Sequence, residues 1–128
     1  MNGGAGNDYL RGYLGNDTLT GCAGNDVFVF NTVPNSATNF DRITDFSVYA
    51  DTNWLDDAIF AALGAPGVLA AGAFRIGAAA ADASDRIVYN SVTGGLDYDA
   101  DGTGGTGAIR FATLDAGLAL TSADFFVI

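Results

Sequence analysis

Large apolar residues recur every nine positions at the start of the chain, at Leu10, Leu19 and Phe28. On either side of each the side chains alternate outward, inward, outward, so each apolar residue sits at the centre of a three-residue strand and enters a core. Residues 3–29 divide into three nonapeptides, GGAGNDYLR, GYLGNDTLT and GCAGNDVFV. Position one is Gly3, Gly12 and Gly21, position four is Gly6, Gly15 and Gly24, and positions five and six are Asn-Asp in every copy. A fixed period of this kind marks stacked, quasi-identical units. Each unit reads as a six-residue turn followed by a short strand. Successive strands run up opposite faces, so two nonapeptides complete one coil. Glycines at positions one and four admit positive φ, and Asn at position five tolerates the left-handed region almost as well.

The period ends after Phe30. A loop, NTVPNSATN (31–39), leads into DRITDFSVYAD (41–51), where Ile43, Phe46 and Val48 alternate with polar neighbours and predict a strand with a bulge or turn. Trp54, Leu55, Ile59, Phe60 and Leu63 fall near a spacing of four, with Asp51 and Thr52 placed to cap and Gly64 to stop, which predicts one short amphipathic helix over 54–63. The Ala-rich stretch 65–83 holds a strand-like AFRI and no period. RIVYN, SVTGG and LDYD then predict two strands joined by a Gly-containing turn, and AIRFATL a third. The fold class expected is all-β: a parallel coil over 1–30, continued by an antiparallel sheet or sandwich cap over 31–128, the two forming one continuous domain. A hydrophobic cap of that sort protects the last coil of a solenoid from fraying.

Composition narrows the chemistry sharply. The 128 residues carry fifteen acids, all Asp, and five bases, all Arg, for a net charge of −10. No Glu, Lys, His or Gln is present, and Cys22 stands alone. An ordinary His/Cys zinc site is therefore excluded, as are a Ser–His or Cys–His couple and a Schiff-base lysine. So lopsided a negative charge argues against nucleic acid, whose binding rests on clustered Lys and Arg. No apolar run approaches the length of a membrane span, and no N-terminal signal peptide is visible. What fifteen Asp and many Asn and Gly favour is oxygen-ligand chemistry with hard cations.

Stacking supplies the site. Turns two repeats apart lie one above the other, which brings Asp8 close to Asp26. Carboxylates so placed repel unless positive charge sits between them, and a divalent cation taking six to eight oxygens at about 2.3–2.6 Å meets that need. Calcium fits better than magnesium, which demands small octahedral geometry and keeps its waters. The bland alternative is a set of Gly-Asn-Asp surface turns without metal.

The three nonapeptides resemble the RTX (repeats-in-toxin) calcium-binding family, whose unit is G-G-x-G-x-D-x-U-x. The resemblance implies a parallel β-roll with Ca2+ held between stacked turns. One turn would donate the carbonyls of positions two and four with its Asp, and the turn above the carbonyls of positions one and three with its own. Carried onto this chain, one site comprises Gly4, Gly6 and Asp8 below with Gly21, Ala23 and Asp26 above. A second comprises Tyr13, Gly15 and Asp17 below with Phe30, Thr32 and Asn35 above. Asn35 stands there where the family has Asp, and Tyr13 and Cys22 replace the usual position-two glycine.

The carboxyl-terminal DFFVI reads as a closing strand. It is also similar to the uncleaved signal of serralysin-type proteases and related RTX proteins, which are exported by an ABC-transporter (type I) system. Together these resemblances imply a non-catalytic, secreted calcium-binding module that folds once outside the cell and forms the C-terminal part of a larger extracellular protein. The similar R-modules of alginate epimerases suggest an alternative, a calcium-dependent polysaccharide-binding or adhesion role with Tyr9, Tyr13, Tyr89 and Tyr98 as stacking platforms. An enzyme built on paired acids such as Asp56-Asp57 is the weakest reading, because acids in loops are more often solvated or metal-bound.

Three further features are open. Asp41, Asp45 and Asp51 read as solvated strand-edge acids, with cation binding as the other option. Asp97, Asp99, Asp101 and Gly102 match the first half of an EF-hand loop, but the position of the bidentate acid is Ala108 and strands flank it, so an acidic hairpin is favoured over a calcium turn. Cys22 reads as a partly buried free thiol.

Overall fold

The structure is a computed structural model and describes residues 1–102 and 107–128. The three nonapeptide strands form as the alternation predicts: β1 (Tyr9–Leu10), β2 (Thr18–Leu19) and β3 (Val27–Phe30). β1 pairs with β3 in parallel, Tyr9 opposite Val27 and Leu10 opposite Phe28. β2 lies in the other sheet and pairs in parallel with β4 (Asp41–Ile43), Leu19 opposite Ile43. Odd and even repeats thus climb opposite walls of a β-roll. Leu10, Leu19 and Phe28 project between the walls and are fully buried, which is the burial that holds each coil together.

Residues beyond 30 extend both walls. β5 (Thr52–Leu55) pairs in parallel with β3 and with the last strand, β11 (Phe125–Val127), whose other edge meets β6 (Gly67–Val68) antiparallel. The first wall therefore runs β1-β3-β5-β11-β6. The second runs β2-β4-β10-β9-β8-β7, with β7 (Phe74–Ile76), β8 (Ile87–Tyr89), β9 (Gly95–Tyr98) and β10 (Ile109–Thr113). The β8–β9–β10 section is antiparallel as expected, whereas β4–β10 and β7–β8 are parallel. One apolar core spans the whole, from Leu10, Leu19 and Phe28 through Ile43, Leu55 and Phe60 to Phe111, Phe125 and Val127.

The helix expected over 54–63 does not form. Trp54 and Leu55 end β5, and only Ala61–Leu63 makes a single 3₁₀ turn. The spacing misled because β5 has partners on both edges, so extended ladder bonds replace the helical ones. Asp56 then breaks the strand by accepting the Ala58 N–H at 2.9 Å, and the turn carries Phe60 into the core. Two other 3₁₀ turns, Ala71–Ala73 and Ser122–Asp124, occur among the described residues. The strand expected across 41–51 is likewise short: it stops at Ile43, and 44–51 form a turn.

Candidate metal centre

The turns carry the site, and their backbone explains their residues. Positive φ falls at positions two and four of the repeats: Gly4 (83°), Tyr13 (60°) and Cys22 (70°), then Gly6 (101°), Gly15 (102°) and Gly24 (122°). Neither position one nor the Asn at position five has positive φ, which corrects the sequence expectation on both counts. Asn7 and Asn16 instead form side-chain rungs. Asn7 Oδ1 accepts the Asn25 N–H at 2.8 Å, and Asn16 Oδ1 accepts the Phe40 N–H at 3.1 Å. Position one is glycine because of the carboxylates that lie against it. A β-carbon on Gly3 would sit 2.7 Å from Asp8 Oδ2, and one on Gly12 would sit 2.7 Å from Asp41 Oδ2 and 3.0 Å from Asp17 Oδ2. The missing methyl is the space into which the carboxylates fold.

The aspartates stack in register. The Asp8 N–H donates to Asp26 Oδ1 at 3.0 Å, which brings together the first pair expected. The Asp17 N–H donates to Asp41 Oδ1 at 3.1 Å. The residue across from Asp17 is thus Asp41, not Asn35. Asn35 belongs to the intervening loop, where its side chain accepts the Ala37 and Thr38 N–H groups and its backbone bridges Asn39. The loop adds residues before the coil resumes, so the partner lies 24 positions on rather than 18. Thr32 does reach the lower turn, its hydroxyl donating to the Tyr13 carbonyl at 3.1 Å. In the first cage the Ala23 carbonyl accepts the Gly6 N–H at 3.0 Å, which leaves its second lone pair.

A third rung follows: the Asp26 N–H donates to Asp51 Oδ1 at 3.0 Å. Asp41 and Asp51 are each 5% exposed, and Asp45 accepts the Gly21 and Cys22 N–H groups at 2.9 and 2.7 Å. Asp41 and Asp51 are therefore not solvated edge acids, and all three accept N–H groups of the repeat turns. One signal for Asp41 was present in the chain, since Asp17-Thr18-Leu19-Thr20 is echoed by Asp41-Arg42-Ile43-Thr44.

Electrostatics show what the stack lacks. Asp8 Oδ2, Asp17 Oδ2 and Asp26 Oδ2 are buried, and each has no hydrogen-bond partner among the described residues. Burial, with the Asp17 charge adding to it, pushes the Asp41 carboxyl up to about 6 against the opposing Asp17 N–H. Burial also raises Asp51, with smaller contributions from the charges of Asp26 and Asp45. Buried like charges with unmet oxygens are a donor set that a hard divalent cation satisfies. No three acidic or cysteine side chains converge as a self-sufficient metal cluster among the described residues. Each cage offers two carboxylates and must draw on turn carbonyls for the rest.

Among known families, residues 1–30 match the RTX calcium-binding nonapeptide repeat (4 copies). No curated protein matches the chain. RTX nonapeptide repeats bind calcium ions, so Ca2+ is the cation that the matched residues point to. The buried, partnerless oxygens of Asp8, Asp17 and Asp26 lie within the matched residues, and their chemistry fits that ion.

The other candidates fare differently. Tyr89 and Tyr98 are buried and unavailable as platforms, while Tyr9 and Tyr13 are exposed. Asp97 is tied to Arg110 by a 2.5 Å ion pair. Asp99 is buried and raised by burial, and the loop's residues 103–106 lie outside the described residues. Cys22 is exposed rather than partly buried, its thiol 3.1 Å from Asn2 Oδ1. No helix among the described residues is long and apolar enough to cross a membrane.

Proposed function

We propose that this chain is a non-catalytic calcium-binding module that couples folding to export and forms the C-terminal part of a larger extracellular protein. The observation that carries it is the row of buried aspartate oxygens without partners. The first ion would be held by the carboxylates of Asp8 and Asp26 with the carbonyls of Gly4, Gly6, Gly21 and Ala23. The second would be held by Asp17 and Asp41 with the carbonyls of Tyr13 and Gly15, Thr32 bracing the lower turn. At the low calcium of a cytosol the carboxylates repel one another and the glycine-rich turns lose much entropy on ordering, which keeps the chain loose. Outside, millimolar calcium meets sites of the extracellular class, with dissociation constants of roughly 10⁻⁴–10⁻³ M. Binding to the native state alone then appears as folding free energy.

Residues 1–30 and 31–128 act as one folding unit in this reading, because strands from the second part extend both walls of the first. The tail DFFVI serves as the signal for type I (ABC-transporter) secretion while unfolded. Phe125 and Val127, buried in β11, would be open to that machinery only before the roll closes. Circular dichroism and thermal melts of the chain with calcium and with EDTA test the proposal. Chelation is expected to remove most of the β signal and lower the melting temperature; identical curves would refute it.

A second reading, polysaccharide binding, is favoured by an outward aromatic run on the first wall. Tyr9 packs edge-on against Trp54 at 5.3 Å, and Trp54 lies 6.2 Å from Phe126. Calorimetric titration with glycans in saturating calcium tests it, and no heat of binding would end it.

A further inference from the structure

We propose that the turn 44–51, which is not a repeat, closes a third calcium cage over the third nonapeptide, with Asp26 and Asp51 as its carboxylate ligands. The inference rests on the calcium reading above and extends it beyond the residues that match the repeat. Three observations support it. The rung between Asp26 and Asp51 has the same form as the two below, lower N–H to upper Oδ1, at 3.0 Å against 3.0 and 3.1 Å. The lower member again keeps a buried Oδ2 with no partner, and Asp26 as a residue is only 1% exposed. That oxygen lies against Gly21, where a β-carbon would clash with it, as Asp8 Oδ2 lies against Gly3.

The acceptors around this turn differ in charge. In the first coil the Gly3 N–H is met by the Thr20 carbonyl at 2.8 Å and the Gly4 N–H by Asn2 Oδ1 at 3.0 Å, both neutral. One coil up, the equivalent Gly21 and Cys22 N–H groups are both met by the Asp45 carboxylate. Asp45 therefore adds negative charge beside the turn under the third cage, where the first coil has only neutral acceptors, while each cage keeps two carboxylates. Asp51 also accepts the Ser47 N–H at 2.8 Å, which fixes its carboxylate over the cage without using up its lone pairs. Asp26 serves twice in this arrangement, as the upper wall of the first cage and the lower wall of the third.

Calcium stoichiometry of the 128-residue chain, measured by calorimetry with the β signal followed in saturating calcium, decides the matter. Asp8→Asn and Asp51→Asn are each expected to lose one ion per chain, and Asp26→Asn to lose two. Asp45→Asn is expected to weaken one ion at least several-fold without changing the others. If Asp51→Asn binds as many ions as the unaltered chain and Asp26→Asn loses only one, the third cage is refuted while the calcium reading stands. If the unaltered chain binds no calcium, both fall. Should Asp51→Asn fail to fold, anomalous scattering from crystals of the unaltered chain grown in calcium answers the same question. An ion between Asp26 and Asp51 supports the cage; a water-filled gap there, with an ion between Asp8 and Asp26, overturns it.

Discussion

At the residue scale, Gly21 and Asn53 show opposite ways in which a side chain can be wrong for its place. Gly21 has ordinary backbone angles, so only the Asp26 carboxylate pressed against its α-carbon requires glycine. Gly21→Ala is expected to lower stability in calcium by about 1–3 kcal/mol, the usual range for forcing an atom into filled space, as read from urea unfolding. Asn53 faces the core in register with Phe28 and Phe125, fully buried, with neither amide atom partnered among the described residues. A buried amide left so costs about 1–3 kcal/mol, so Asn53→Leu, similar in volume, is expected to raise stability by about 1 kcal/mol in the same assay. Glycine identity was legible from the repeat, but its cause was not. A period shows that a methyl is forbidden without showing whether a dihedral or a neighbour forbids it.

At the scale of elements, the nonapeptide strands were legible because each repeats the same small calculation: turn, then one inward apolar residue. Leu10, Leu19 and Phe28 all fall where the period puts them. The partner stacked on Asp17 lies later in the chain than the period implies, because a six-residue turn does not follow Phe30 at once. The loop 31–39 instead makes its own bridge between Asn35 and Asn39, and the coil resumes with Phe40 on the Asn16 rung. Nothing local in NTVPNSATN announces that delay. Trp54 and Leu55 were misread for a related reason, since their partners in β3 and β11 are distant in sequence and a helical spacing arose by chance. The corrected pairing has a direct consequence. Asp41→Asn is expected to remove the same ion as Asp17→Asn, whereas Asn35→Ala leaves calcium stoichiometry unchanged, both read by calorimetric titration.

For the molecule as a whole, calcium and protons compete for the same carboxylates. The Asp41 carboxyl, at about 6 in the folded chain, lies above its ordinary value of 3.8, so between these values the folded state holds more proton than the unfolded one. The calcium-stripped chain is therefore expected to lose stability as pH rises from 3.8 to 6, with the loss complete above 6. Calcium affinity should move the other way, weakening as pH falls through 6 because the proton must leave first. Melting temperatures across that window, with and without calcium, should show opposite slopes. The position of β11 adds a temporal constraint. Phe125 completes the first wall beside Asn53, on a strand inserted between β5 and β6 rather than added at an edge. A growing polypeptide emerging from the ribosome lacks that middle plank until almost everything before it has been made. Premature closure of the wall is thereby prevented by the order of synthesis itself, and slow, late acquisition of structure is built into the topology.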